Sequence, residues 1–60
     1  MKLVKLADLR HGDVFLTKSS KLYIFGWPEN DGTVIACRYA NKLFLDTLNA
    51  NTSVYLMENL

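Results

Sequence analysis

One cysteine, Cys37, stands in the 60-residue chain, so no intramolecular disulfide can staple the fold. One histidine, His11, accompanies it, and a tetrahedral metal site cannot be filled from that pair. Glu29, Asn30 and Asp31 offer oxygens without the spacing of a calcium loop. The three glycines, Gly12, Gly26 and Gly32, lie far apart and form no phosphate-cradling run. No metal and no cofactor are therefore expected. Long apolar runs are missing too, and none approaches the ~20 residues of a membrane helix. Lys5, Asp8 and Arg10 interrupt the N-terminal segment where the apolar core of a signal peptide would stand. A soluble cytoplasmic protein with no membrane association is the expectation, and Asn51-Thr52-Ser53 reads as an accidental glycosylation pattern.

Charge of one sign is also lacking. Seven Lys and Arg against six Asp and Glu leave a net charge of +1. A dedicated nucleic-acid domain usually carries a clear basic excess, so polyanion binding is disfavoured. A chain this short buries only about 60% of its unfolded surface, which predicts one small domain of marginal stability.

What the sequence does have is strand pattern. Half of the residues are apolar. Segments 22–27, 33–39 and 53–57 are rich in β-branched and aromatic residues and are bounded by turn formers. A strand over 14–17 follows the His11-Gly12-Asp13 break, and Lys18 to Lys21 form a polar turn. Pro28 to Gly32 is the strongest turn signal, with Asp31-Gly32 predicted as a hairpin tip and Gly32 at positive φ. Ala40-Asn41-Lys42 closes a third hairpin into a strand over 43–46, and 46–52 reads as a longer connection. No window holds a helical stripe; one helical turn within 42–50 is the most the pattern allows. Five or six short antiparallel strands make an all-β fold, and closure into a small barrel would protect its edges.

Leu9, the Gly12-Asp13 turn opening the first long strand, the Asp31-Gly32 tip and the short turn before Val54 together resemble the SH3-like small barrels. The resemblance spans nearly the whole chain and implies a five- to six-stranded antiparallel barrel. Stand-alone barrels of this length are similar to phage and bacterial accessory proteins. That likeness implies a protein that binds and inhibits or modulates a host protein.

Alternation sorts the strand residues into two sets. Val14, Leu16, Leu22, Ile24, Leu43, Leu45, Val54 and Leu56 share one phase; Phe15, Tyr23, Phe25, Trp27, Phe44, Tyr55 and Met57 share the other. Whether the phases align across strands depends on register, which alternation alone does not fix. The expected core is Leu22, Ile24, Val34, Ala36, Val54 and Leu56. The aromatic phase is then a surface, with Tyr23, Phe25 and Trp27 beside Arg38 and Tyr39 as the partner contact. Trp, Tyr and Arg dominate binding hot spots because they supply large contact areas.

Other chemistries fare less well. Cys37, His11 and Asp13 are the best nucleophile, base and orienting group available, with Ser19 or Ser20 as alternative hydroxyls. Cys37 falls mid-strand, where a small buried thiol is ordinary, and so small a barrel leaves little room for a pocket of ~300 Å³. Catalysis is not expected. Lys18, Lys21, Arg38 and Lys42 interleave with aromatics as a single-strand nucleic-acid surface would, but Glu29, Asp31 and Asp46 oppose phosphate. The leading reading is a non-catalytic protein-binding module that also forms a homodimer. The runner-up is an RNA- or single-strand-binding barrel.

Overall fold

The computed structural model describes residues 1–57. Six strands form one sheet: β1 (Lys2–Lys5), β2 (Val14–Leu16), β3 (Leu22–Pro28), β4 (Thr33–Arg38), β5 (Leu45–Asn49) and β6 (Ser53–Leu56). Their spatial order is β1-β6-β2-β3-β4-β5, and every neighbouring pair is antiparallel. The all-β expectation holds. The sheet is open, with β1 and β5 at its edges.

The helical turn falls elsewhere than expected. A 3-10 turn over Leu6–Asp8 is the sole helical element among the described residues. Its Leu6 and Ala7 amides donate to the carbonyls of Thr52 and Ala50, both at 2.9 Å, tying it to the β5–β6 connection. Segment 42–50 is mostly strand instead, and β5 takes up residues expected to be a connection. The shift follows from a tight turn before it. Phe44 donates to the Asn41 carbonyl at 3.0 Å, and the Asn41 side chain accepts from the Leu43 amide at 3.2 Å. Pairing then begins at Leu45 and sets Leu48 opposite the buried Val34.

The Asp31-Gly32 tip forms as predicted, with Gly32 at φ +83°. Asp31 fixes it by accepting the Thr33 hydroxyl at 2.6 Å and the Thr33 amide at 3.2 Å. Those bonds hold the Asp31 carboxyl below its ordinary range.

One face of the sheet carries the core. Phe15, Tyr23, Phe25, Val34, Ala36 and Val54 are buried there with Leu6 and Leu9, and Val4, Leu48, Ala50 and Leu56 pack against them. Val34, Ala36 and Val54 match the expected core, and Leu56 packs on it half-buried. Leu22 and Ile24 do not; they are half-buried on the opposite face, and Tyr23 and Phe25 take the interior. Register explains the exchange. Phe15 pairs with Tyr23 on one side and with Leu56 on the other, so all three point inward. The aromatic phase of β2 and β3 therefore meets the aliphatic phase of β6. Phe15 and Tyr23 stack with centroids 5.5 Å apart, and each buried ring contributes about 1.5–3 kcal/mol by leaving water.

Candidate functional site

Phe25 pairs with Ala36, yet Trp27 pairs with Ile35, so one extra residue of β3 is accommodated at Gly26. Only glycine fits there: a Cβ on residue 26 would stand 2.6 Å from the Ile35 carbonyl oxygen. Three consecutive residues hold the irregularity. His11 Nδ1 lies 2.8 Å from the Gly26 carbonyl, and since a carbonyl only accepts, that nitrogen carries the proton. The Gly12 amide donates to the Phe25 carbonyl at 2.9 Å, and the Phe25 amide donates to Asp13 at 2.8 Å. The bulge inverts the phase of the strand. Phe25 is 3% exposed and Trp27 is 47% exposed, although the two share a parity.

Trp27 thereby joins the outer face, whose rows follow from register. Val14, Ile24, Cys37 and Leu45 align across β2, β3, β4 and β5. Met57 extends that row by donating its amide to the Val14 carbonyl at 2.9 Å. Leu3, Tyr55, Leu16 and Leu22 make a second row across β1, β6, β2 and β3. Trp27, Ile35 and Thr47 make a third. None of these side chains is charged. With strands ~4.8 Å apart, the row from Met57 to Leu45 runs roughly 19 Å, and the three rows stack to roughly 13 Å at β3, where Leu22, Ile24 and Trp27 follow one another.

A second cluster lies at one end of the sheet. The Tyr23 hydroxyl donates to Asp46 Oδ2 at 2.7 Å, and Arg38 Nε donates to the same oxygen at 2.9 Å. Arg38 Nη2 reaches Oδ1 at 3.3 Å. The Arg38 guanidinium, then the Tyr23 hydroxyl, hold the Asp46 carboxyl below its ordinary range. Burial, and then Asp46, raise the Tyr23 hydroxyl above its own. The guanidinium lies 5.1 Å over the Phe44 ring, and Lys42 Nζ lies 4.9 Å over the Tyr39 ring. Lys21, Leu22, Tyr23, Arg38, Tyr39 and Ala40 line an open hollow of about 360 Å³ here. The expectation of no pocket near that size does not hold.

The predicted partner contact thus divides. Tyr23 and Phe25 belong to the core, because the register with β6 turns their phase inward, and of Tyr23 the hydroxyl reaches the rim. Trp27 is on the outer face, and Arg38 and Tyr39 flank the hollow at the other end of β4. Ile24, Ile35, Val14 and Leu45, which alternation had assigned elsewhere or left open, build the surface instead. Their signal was present in the sequence as charge-free outward positions; the missing knowledge was register.

Among the described residues, no hydrogen bond joins His11, Asp13 and Cys37. Asp13 accepts from the Arg10 amide at 2.8 Å, and Cys37 lies between Ile24 and Leu45 in the outer row. Among the same residues, no three His, Cys, Asp or Glu side chains gather as metal ligands, and no helix is long and apolar enough to cross a membrane. Comparison with protein-family models, with curated proteins and with solved structures finds no match to this chain.

Proposed function

We propose that the protein is a non-catalytic binding module that docks a folded protein partner on the outer face of its sheet. The observation that carries the reading is the uncharged set of rows around Ile24, Ile35 and Trp27. A contiguous uncharged surface is a common site of protein–protein contact, and a neutral face favours a partner of matching apolar character. Trp27 is its natural anchor, as a half-exposed indole opposite Ile35. The strand order and the link between the 3-10 turn and the β5–β6 connection support reading the sheet as a small SH3-like barrel. By that resemblance, the partner is a host protein that a phage-type accessory protein would inhibit or modulate.

Lys21, Arg38 and Lys42 around Tyr39 and Phe44 are what a nucleic-acid reading would use. Arg38 is held by Asp46, and cations cover one face of both rings, which removes stacking surface from a base. The protein reading is therefore preferred. Affinity capture from the native host lysate tests it, comparing the natural chain with Trp27→Ala after nuclease treatment. A complex of fixed stoichiometry that resists salt and is lost in Trp27→Ala is expected. Capture of nucleic acid alone, falling steeply with salt, would overturn the reading, as would protein capture that ignores the Trp27 change.

A further inference from the structure

The two edges of the sheet are built differently. β1 carries Lys2 and Lys5, and edge lysines discourage pairing with another chain because the incoming strand would have to desolvate them. β5 has no such guard. The segment from Leu43 to Thr52 contains one charged residue, Asp46, which Arg38 already engages at 2.9 Å, and it contains no proline. Leu43 and Leu45 at its start are 91% and 56% exposed.

Hydrogen-bond phase shows which backbone groups are open. Arg38 donates to the Phe44 carbonyl and Ala50 donates to the Gly32 carbonyl, both at 3.0 Å. In an antiparallel ladder that phase turns the amides and carbonyls of Asp46 and Leu48 toward β4. Those of Leu45, Thr47 and Asn49 then point away from the sheet. Among the described residues, the Leu45 and Thr47 groups meet no backbone partner, since β4 is the only strand beside β5.

We infer that this edge pairs with β5 of a second copy, antiparallel and centred on Thr47. A second copy fits because the register is self-complementary. Thr47 meets Thr47, Leu45 meets Asn49, and Asp46 meets Leu48, so the two Asp46 carboxylates are never opposite one another. The Leu45 and Thr47 backbone groups that the single chain leaves to water gain partners in Asn49 and Thr47 of the second copy, and the net charge of +1 gives little repulsion between copies. The pairing leaves Trp27 and Ile24 uncovered, and although Leu45 and Thr47 lie on both surfaces, the edge is read through self-association and the partner face through Trp27.

Sedimentation equilibrium across micromolar to millimolar concentration tests it, with Thr47→Pro as the variant. The Thr47 amide does not serve the β4 ladder, so proline removes only the outward donor and obstructs the edge. The natural chain should shift from the 6.9 kDa species to twice that mass, and Thr47→Pro should stay at 6.9 kDa with unchanged β-sheet circular dichroism. Should Thr47→Pro fail to fold, Thr47→Lys applies the same test by placing a charge on the edge. A natural chain that remains at 6.9 kDa at millimolar concentration would overturn the inference. So would a dimer that persists in a folded edge variant. Trp27→Ala should leave the dimer intact, which separates failure of this inference from failure of the partner face.

Discussion

Trp27 sits opposite Ile35, one residue out of step with the Phe25–Ala36 pair that precedes it on the same strand. That offset gives two aromatic residues of equal parity opposite fates. Truncating them should separate the fates experimentally. Phe25→Ala removes a buried ring and should cost ~3–5 kcal/mol, most or all of the stability of so small a domain. Trp27→Ala should keep its cooperative transition, with a loss of about 1 kcal/mol or less. Urea unfolding of the two variants measures the difference; equal losses would contradict the assignment.

Gly26 creates the offset, and its tolerance is testable. A methyl at 2.6 Å from the Ile35 carbonyl cannot be relieved by rotating a side chain, because the obstacle is backbone. Gly26→Ala should therefore destabilise by ~1–3 kcal/mol, the usual range for a forced backbone shift. Gly26→Ala with an unchanged unfolding midpoint would show that the strand can pass through this point without the bulge.

Gly32 offers the contrasting case. A Cβ there would meet nothing within 4 Å, so only the φ of +83° penalises a side chain. Gly32→Val should cost ~1 kcal/mol or more, and Gly32→Asn clearly less, because asparagine enters the left-handed region more readily than β-branched residues. Equal unfolding midpoints for the two variants would remove the conformational explanation.

The Tyr23–Asp46–Arg38 cluster predicts an acid dependence of stability. Arg38 first and Tyr23 second depress the Asp46 carboxyl in the folded chain. A depressed carboxyl contributes stability above the ordinary aspartate range, near pH 4, and loses it as pH falls through the folded value. Asp31, depressed by Thr33, acts in the same direction. Asp46→Asn should therefore flatten the acid limb of the stability profile below about pH 4. An acid limb identical to that of the natural chain would show that Asp46 gains nothing from its partners.

Alternation and turn chemistry made the strands, the Asp31-Gly32 tip and the inward Val34, Ala36 and Val54 legible from sequence. Phase across strands was not legible. Val54 and Ile24 look alike in their own strands, and only the Phe15–Leu56 and Val14–Ile24 pairings turn one inward and the other outward. The Gly26 bulge was hidden for a similar reason. Its cause is a close approach by the Ile35 carbonyl, contributed from another strand. The one local signal in 22–27 is the isolated Gly26 itself, which marks a bulge or close approach without fixing the register beyond it. Burial of Tyr23 was masked by its hydroxyl, which reads as a surface group until Asp46 is found to accept from it at 2.7 Å.

The partner face rests on an outward Trp27, and the chain contains only that one tryptophan. Acrylamide quenching of its fluorescence in the folded, isolated protein is thus a direct reading of one side chain. A half-exposed outward indole should show red-shifted emission and acrylamide quenching well above that of a buried tryptophan, approaching but below that of the urea-unfolded chain. Blue-shifted emission with strong protection from acrylamide would place the indole in the core and contradict the account.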